Sequence, residues 1–351
     1  MAPSHHERGH LPTADRPPIR AHVSSPGMDD SVEAVLAQYG LAAISAPELV
    51  ATGTLNWNYR VETDRGPRFV RKHRETLPRE RIEQEHRLVA WAADRGIPVA
   101  IAERTLRGAS VATMEGANWA VFPWIEGVAP HRGAMSAAEV FAAGEMHGRI
   151  HRVLLDFPES IEAAPPREIP VDWSLANLDR IVEAAREQRA EPAIIEGLEF
   201  QRRLLATRGK LLSERGLTRS PSHGDYHDQQ LLFRGSLVVA VTDWELFGVR
   251  PRLWEVLRSM SFSRLMEGPQ MEQYVAGYRE HMPMPADECR AAMDLWWQGR
   301  LHGAWVFQSY FLEGNTRVAE FFPETLRALR ALADDETRRE LTERFVLAAT
   351  R

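Results

Sequence analysis

The chain has 351 residues, of which 44% are hydrophobic and 26% are charged, and its formal net charge is −6. This length and composition fit a globular protein large enough for two lobes and exclude a disordered or fibrous chain. Because the charge balance is acidic and the basic residues are dispersed, a nucleic-acid partner is not expected. The single cysteine, Cys289, excludes an intramolecular disulfide and favours a reducing compartment.

The N-terminal segment, residues 1–30, is rich in proline, histidine, serine and arginine and lacks the apolar core of a signal peptide. We expect a flexible tail in which His5, His6 and His10 are solvated surface residues. No apolar run in the sequence reaches the roughly 20 residues that span a bilayer. These features predict a cytoplasmic protein with no membrane partner.

The first strand pair is predicted on either side of a turn at residues 64–67, with residues 59–63 and 68–72 as the two strands. The preceding loop, residues 51–59, has one glycine and no complete Gly-x-Gly-x-x-Gly pattern. The sequence also has no Gly-x-x-x-x-Gly-Lys-Ser/Thr motif, so a P-loop is not expected.

A helix is predicted from Pro78 to Gly96, since proline often opens a helix and glycine often closes one. One face of this helix carries Ile82, Glu85, Val89 and Ala92. Glu85 therefore lies on an otherwise apolar stripe, where an unpaired carboxylate would be costly to bury. The helix is expected to need a cation from a neighbouring element.

Lys72 on the second strand is the first candidate for that cation. Arg71 would replace it if the strand register differs by one residue, because such a shift exchanges the two faces of a strand. Glu83, on a more polar face of the helix, is the alternative to Glu85.

Residues 118–127 are typical of a strand that leads into a linker, and the chain after them is mainly helical. Ser136 and Glu139 form a capping-box pattern for a helix that runs toward Leu154. Further helices are predicted over residues 172–189, 192–215, 285–312 and 323–349. Because most predicted strands lie in the first part of the chain and most predicted helices lie after it, the sequence indicates an α+β protein. Residues 31–123 would form an N-terminal lobe and residues 124–351 a helical C-terminal lobe.

The segment between residues 222 and 245 carries the pattern of a phosphoryl-transfer centre. Asp225 lies in a loop, Gln230 follows it, and Asp243 ends a later strand. Two apolar runs, residues 231–233 and 237–241, flank a glycine-containing turn and predict a hairpin. Because a hairpin returns the chain to its starting end, the three polar side chains are expected on one rim.

The roles of these residues follow from the needs of the reaction, which are an aligned hydroxyl and neutralised phosphates. Asp225 would orient the acceptor hydroxyl and accept its proton. Asp243 would bind Mg²⁺ at the phosphates of ATP, and the side-chain carbonyl of Gln230 could supply another oxygen ligand. His223 is expected to brace the loop backbone.

The sequence resembles the aminoglycoside phosphotransferase and choline kinase family, which shares the protein-kinase-like fold, and homoserine kinases of that fold are also similar. The resemblance is carried by two runs, His223-Gly224-Asp225-x-His227-x-x-Gln230-Leu231-Leu232 and Val241-x-Asp243-Trp244-Glu245. The family usually has asparagine where this chain has Gln230. Gly224 stands where protein kinases carry the arginine that senses a phosphorylated activation loop, so regulation of that kind is not expected.

The resemblance implies an ATP site in the N-terminal lobe. Lys72 would occupy the position that contacts the phosphates and would pair with Glu85. Residues 118–127 would form the hinge between the lobes, where adenine docks on backbone groups. The Phe122 carbonyl would accept a hydrogen bond, and the donor would be the N–H of Trp124 or Ile125, because Pro123 has none. Glu255 resembles a structural acid of the family and is expected to be a scaffold residue.

The acceptor is a small hydroxylated molecule whose identity the sequence leaves open. Aminoglycosides or other antibiotics, amino alcohols, homoserine and sugars all fit the shared centre. Trp296, Trp297 and Trp305 are expected on one long late helix, of the kind that lines the acceptor site in related enzymes. Their helical spacing equally fits a core stripe.

Two other functions are compatible with parts of the sequence. A metal-dependent hydrolase could use His223, Asp225, His227 and Asp228, but it would leave Lys72, Glu85 and Asp243 without a shared purpose. A non-catalytic nucleotide-binding module is suggested by the glutamine at position 230.

His147 and His151, one helical turn apart, are expected to be packing or surface residues.

Overall fold

The computed structural model of the chain describes residues 28–50, 56–266 and 268–351. The predicted tail up to residue 27, with its histidines, and residues 51–55 of the loop before the first hairpin lie outside the described residues. Helix α1 (Met28–Gln38) precedes an antiparallel five-stranded sheet. Its strands are β1 (Glu48–Leu49), β2 (Trp57–Thr63), β3 (Gly66–Lys72), β4 (Ala112–Met114) and β5 (Ala117–Pro123), in the order β1-β2-β3-β5-β4.

The two faces of β3 have different neighbours. Val70 packs in an apolar core with α1 residues Val35 and Leu36 and with Trp119 of β5. On the opposite face, Phe69 lies against Phe122 with ring centroids 6.1 Å apart. Alternation along the strand therefore places Lys72 on the α1 side and Arg71 on the other side.

The predicted helix after the first hairpin is α2 (Arg79–Ala93), with Pro78 as its N-cap residue. Gly96, just beyond its end, adopts φ +79°, the left-handed region that favours glycine. The face expected to be buried is buried, Glu85 included. The predicted capping box is also present, because Ser136 and Glu139 bond each other's backbone N–H at the start of α3 (Ala137–Leu154).

The remaining elements are short strands and eight further helices of the described chain. The strands are β6 (Glu168–Ile169), β7 (Leu212–Ser213), β8 (Arg219–Ser222), β9 (Leu231–Arg234), β10 (Leu237–Val241) and β11 (Gly248–Pro251). The helices are α4 (Val171–Glu187), α5 (Pro192–Arg208), α6 (Arg252–Phe262), α7 (Gln270–Arg279), α8 (Ala286–His302), α9 (Trp305–Phe311), α10 (Phe322–Leu332) and α11 (Asp335–Thr350).

Three of the predicted helices have the wrong length. The helix expected to reach residue 215 ends at Arg208. The helix expected over residues 323–349 is two helices, α10 and α11. The helix expected over residues 285–312 is divided into α8 and α9 at Gly303, where Gln201 donates hydrogen bonds to the carbonyls of Leu301 and Gly303 at 3.0 and 2.8 Å.

The tryptophans of that segment consequently have different surroundings. Trp296 and Trp297 lie on α8 and are buried, whereas Trp305 lies on α9 with 53% of its surface exposed. The expectation that all three share one long helix is wrong. The core interpretation fits Trp296 and Trp297. Cys289, also on α8, is buried, and burial raises the pKa of its thiol to about 12, as expected for an inert core residue.

The described chain divides into two compact units. One contains residues 169–211 and 299–334, and the other contains the remaining described residues. All the candidate site residues lie in the second unit. The lobe boundary predicted near residues 123–127 stays a prediction. Within the described residues, none of the helices combines the length and the apolar character needed to cross a bilayer.

Candidate active site

The predicted hairpin is formed by β9 and β10, which pair antiparallel with Leu231 opposite Val241. Gly235 in its turn adopts φ +59°. This pairing brings Gln230, just before β9, to Asp243, just after β10. The Gln230 Nε2 atom lies 3.5 Å from Asp243 Oδ2.

Asp225 reaches the same rim through His223. The Nε2 atom of His223 donates to the Thr242 carbonyl at 2.9 Å, and its Nδ1 atom accepts from the Asp225 N–H at 3.2 Å. His223 therefore links the loop of Asp225 to the residue before Asp243, as the sequence predicted. With both ring nitrogens bonded to backbone, His223 has no free nitrogen for the metal of the alternative hydrolase site.

Gly224 allows the two loops to touch. It adopts φ +89°, and a Cβ atom built on it would lie 1.8 Å from the carbonyl oxygen of Leu246. Any side chain here would force the backbone of one loop to move. The strands that flank these loops, β8 and β11, pair antiparallel with Ser222 opposite Gly248, which holds the loops side by side.

Asp243 adopts a left-handed conformation, φ 60° and ψ 61°, which is uncommon for a residue other than glycine. Such a conformation costs about 1–2 kcal/mol and persists where the surroundings enforce it. One carboxylate oxygen of Asp243 lies 3.2 Å from Arg71 Nη1, and the other faces Gln230. The strained backbone thus aims this carboxylate at two polar partners.

Lys72 does not pair with Glu85, so the expected lysine–glutamate pair is wrong. Its Nζ atom lies 5.4 Å from the ring centroid of Trp119, on the α1 side of the sheet. The reason is the register, which sets Lys72 opposite Trp119 and Arg71 opposite Ala120. Arg71, the alternative considered for a shifted strand, has the position that Lys72 was expected to have.

Glu85 faces the same side as Arg71 and is 5% exposed. Burial raises the pKa of its carboxyl to about 8, although the positive charge of Arg71 opposes this rise. Its Oε2 atom has no hydrogen-bond partner among residues 28–50, 56–266 and 268–351. Glu85 is therefore largely protonated at neutral pH in this state.

Asn56 and Arg74, which flank the first hairpin, contact the segment after Asp243, and the sequence did not predict these contacts. Asn56 donates to Glu245 Oε2 at 2.7 Å and accepts from the Arg74 N–H at 3.1 Å. These bonds tie the loop after Asp243 to both ends of the first hairpin. The sequence points to this contact only through Glu245, the acid that follows Trp244 in the run Asp-Trp-Glu. In the structure Trp244 is buried, at 3% exposure.

Of the two backbone N–H groups considered as hydrogen-bond donors to adenine, those of Trp124 and Ile125, one is available in the structure. The N–H of Trp124 bonds the Pro67 carbonyl at 3.2 Å and is therefore occupied. Among the described residues, the N–H of Ile125 has no such partner. Phe122 lies beside His86 of α2 in an edge-to-face contact, with ring centroids 5.5 Å apart.

Asp225 has a partner that the sequence analysis missed. Arg258 on α6 donates from Nη2 to Asp225 Oδ1 at 2.6 Å. The other carboxylate oxygen, Oδ2, lies 3.9 Å from His227 Nε2. The only signal in the sequence is the spacing of Arg258 three residues after Glu255, which puts both on one side of α6.

A buried network below this loop holds its backbone. Glu255 Oε1 accepts from the Gly224 N–H at 2.5 Å, and its Oε2 accepts from His151 at 2.7 Å and His147 at 3.5 Å. Burial alone would raise the pKa of Glu255, but the two histidine bonds outweigh it and hold the pKa well below its ordinary value. Glu255 is therefore ionised, and it holds the backbone of Gly224, the residue before Asp225. This contact agrees with the scaffold role expected for Glu255.

The two histidines of this network are fixed by tyrosines of α7. Tyr274 and Tyr278 donate to the Nδ1 atoms of His147 and His151 at 2.6 and 2.8 Å. Helix α7 can approach α3 this closely because Gly144 of α3 has no side chain. A Cβ atom built on Gly144 would lie 2.0 Å from the Tyr274 carbonyl oxygen. His147 and His151 are buried, as expected for packing residues. Their contact with the Glu255 carboxylate was not expected from the sequence. Burial lowers the pKa of His147 to about 4, so this ring is neutral.

An antiparallel sheet followed by helices, with two aspartates presented by the loops around one hairpin, defines a protein-kinase-like fold of the α+β class, as predicted. Residues 48–296 match the model of the phosphotransferase enzyme family. The chain belongs to this family, which confirms the resemblance seen in the sequence.

Solved structures share this fold, and a homoserine kinase is similar over part of the chain. The chain is similar to a microcompartment-associated aminopropanol kinase, with a TM-score of 0.63, 18% identity and coverage of 90% of this chain and 98% of the other. A spectinomycin phosphotransferase in complex with ADP and spectinomycin has a TM-score of 0.57 at 12% identity, covering 91% and 98%. A homoserine kinase of Caulobacter vibrioides is 28% identical over 123 residues, which are 35% of this chain and 38% of that enzyme.

Proposed function

We propose that the chain is an ATP-dependent O-phosphotransferase that transfers the γ-phosphate of ATP to a hydroxyl group of a small molecule. The observation that carries this proposal is the presentation of Asp225 and Asp243 by loops that His223 ties together. Family membership supports it, as do the small-molecule kinases among the similar proteins. The ADP bound to the spectinomycin phosphotransferase supports ATP as the phosphate donor.

The residues that would act on the nucleotide are Arg71, Asp243 and the hinge. Arg71 is a fixed cation beside Asp243, suited to the phosphate groups. The Ile125 N–H would donate to adenine, because the Trp124 N–H is already bonded to Pro67. The Phe122 carbonyl, which the sequence analysis expected to accept from adenine, instead lies in the β3–β5 ladder opposite Phe69. Arg71 and Phe122 belong to the predicted nucleotide-binding lobe, residues 31–123, whereas Ile125 and Asp243 belong to the predicted helical lobe, residues 124–351.

Mg²⁺ is the cofactor that the donor set of Asp243 and Gln230 fits, because hard cations prefer oxygen ligands. Asp243 is partly exposed and offers two carboxylate oxygens. The Gln230 Oε1 atom accepts from Thr242 Oγ1 at 3.1 Å, so the amide must rotate to offer its oxygen at Asp243. When bound, the ion would neutralise phosphate charge.

Asp225 would act on the acceptor. Its carboxylate would accept the hydroxyl proton while the hydroxyl oxygen attacks the γ-phosphorus. The Glu255 anchor on Gly224 would hold this loop in place. We propose that the reaction takes place in the cytoplasm, with no nucleic acid or membrane as partner.

The test is substitution of Asp225 by Asn, which keeps an acceptor for Arg258 but removes the base. ADP release with an acceptor should fall by roughly 10²–10⁴-fold, while binding of ATP measured by calorimetry should persist. Asp94→Asn, at an exposed position after α2, is the matched control. Unchanged turnover in the Asp225 variant would reject the assignment. ATP binding without transfer to any acceptor in the unsubstituted protein would instead support the non-catalytic module.

A further inference from the structure

His227 lies beside the carboxylate oxygen of Asp225 that is left for the acceptor. Arg258 donates to Asp225 Oδ1, so Oδ2 is the oxygen that can take the hydroxyl proton. The Nε2 atom of His227 lies 3.9 Å from Oδ2, which is too long for a direct hydrogen bond. His227 belongs to the run shared with the family, but the proposed transfer gives it no role.

The Nε2 atom of His227 carries a proton in either charge state of the ring. Its Nδ1 atom accepts from the Gln229 N–H at 3.3 Å, so the neutral ring holds its proton on Nε2. Nδ1 also lies 3.5 Å from Asp228 Oδ1, and in the charged ring the Nδ1–H would face this oxygen. Nε2 therefore points a proton toward Asp225 in both forms.

The loop and helix α6 together set the position of this ring. His227 caps the short 3₁₀ helix that begins at Asp228, and its ring stacks on Phe262 with centroids 5.9 Å apart and planes 23° apart. The Arg258 guanidinium lies over the same Phe262 ring, with its Cζ atom 4.6 Å from the centroid. Phe262 thus fixes both groups that flank the Asp225 carboxylate.

The gap between His227 Nε2 and Asp225 Oδ2 fits one oxygen atom. An oxygen about 2.7–2.8 Å from each of these atoms would form hydrogen bonds of ordinary length with both. Within residues 28–50, 56–266 and 268–351, neither atom has a hydrogen-bond partner, and both keep contact with solvent. One atom donates and the other accepts, which is the pair of bonds that a hydroxyl group can make.

We infer that the acceptor hydroxyl binds between Asp225 and His227, and that His227 is a catalytic residue of the transfer. This inference rests on the proposed phosphotransferase function. The hydroxyl would donate to Asp225 Oδ2 and accept from His227 Nε2 with one lone pair, which leaves its other lone pair for the γ-phosphorus. The Nε2–H also stabilises the negative charge that grows on the oxygen as its proton leaves.

The transfer step balances with the groups already named. The hydroxyl proton passes to the Asp225 carboxylate, and the hydroxyl oxygen forms a bond to the γ-phosphorus. The bond between that phosphorus and the oxygen bridging to the β-phosphate breaks, and ADP leaves with the electron pair. His227 keeps its Nε2 proton throughout, so it acts as a hydrogen-bond donor and not as an acid.

Two substitutions separate the Nε2 donor from the capping role of Nδ1. His227→Asn keeps a side-chain oxygen near the Nδ1 position, so it can still accept from the Gln229 N–H, but it has no donor near Nε2. His227→Gln is longer, and its amide N–H can reach the position of Nε2. The values of kcat and KM are measured by ADP release with L-homoserine, choline, 3-aminopropan-1-ol and spectinomycin as acceptors.

His227→Asn should lower kcat roughly 10–100-fold with each acceptor that the unsubstituted protein uses, while KM for ATP stays within about twofold. The loss in His227→Gln should be at least about fivefold smaller. Thermal unfolding checks that both variants are folded. His281→Asn is the matched control, because His281 also lies near an acid, with 3.6 Å between its Nε2 atom and Glu145 Oε1, and should leave both constants unchanged.

An unchanged kcat in His227→Asn would show that His227 only caps the loop, and would overturn the inference. Equal losses in the Asn and Gln variants would overturn it as well, because the N–H would then not matter. If Asp225→Asn loses turnover while His227→Asn keeps it, the phosphotransferase function stands without this role for His227. If no acceptor in a broad screen elicits ADP release, the proposed function fails and the inference fails with it.

Discussion

Arg71 and Asp243 join two distant parts of the chain, with 3.2 Å between the Arg71 Nη1 and Asp243 Oδ1 atoms. The contact links strand β3 to the loop that follows β10. Burial alone would lower the pKa of Arg71, but the charge of Asp243 outweighs it and the pKa is raised. The site therefore keeps a charged guanidinium beside the carboxylate proposed to bind the metal.

The first prediction concerns neighbouring cations on opposite faces of β3. Arg71→Met should raise the KM for ATP roughly 10–100-fold, since a charged hydrogen bond contributes about 1.5–3 kcal/mol. Lys72→Met should leave the KM for ATP within about twofold, because Lys72 lies over Trp119 on the α1 side. Both are measured by steady-state kinetics with ATP varied, and thermal unfolding checks that each variant is folded. A larger effect for Lys72 than for Arg71 would contradict the observed register.

The sequence was sufficient for the parts of the site that are close along the chain. The hairpin that unites Gln230 and Asp243 follows from two apolar runs and a glycine turn, which are local signals. The burial of Glu85 follows from the helical period of α2. The choice between Arg71 and Lys72 could not be made, because adjacent basic residues fit either face until β5 and α1 fix the register.

The contacts missed by the sequence analysis depend on helix packing. Arg258 meets Asp225 only because α6 lies against the loop, and Glu255 of the same helix meets His147 and His151 only because α3 also packs against β8, the strand that leads into this loop. No local pattern encodes such pairings between distant segments. The division of the late helix at Gly303 likewise depends on hydrogen bonds from Gln201, on a different helix.

The second prediction compares two glycines with positive φ. Gly224→Ala should destabilise the protein by roughly 2–4 kcal/mol, since it adds both left-handed strain and a collision with the Leu246 carbonyl, which lies 1.8 Å from the new Cβ. Gly235→Ala should cost only about 1 kcal/mol, because no atom of the described part of the chain lies within 4 Å of its Cβ position. Urea unfolding measures both. Equal losses would mean that the loops around Gly224 can separate without cost.

The third prediction uses the pH dependence that the burial of Glu85 imposes. Folding raises the pKa of this carboxyl from about 4.5 to about 8. Between these values the folded protein holds a proton that the unfolded chain has released. Because the folded state then binds more protons, the contribution of Glu85 to the free energy of unfolding falls as the pH rises through this window.

Glu85→Gln removes this ionisation and keeps the size and polarity of the side chain. The free energy of unfolding of the variant, relative to the unsubstituted protein, should therefore increase from pH 5 to pH 8.5, by up to a few kcal/mol. Urea unfolding at half-unit steps of pH measures the difference. Glu80→Gln, at an exposed position in the first turn of the same helix, should give a difference that does not change with pH. If the Glu85 difference is also constant across this range, folding does not raise the pKa of this carboxyl, and the prediction is wrong.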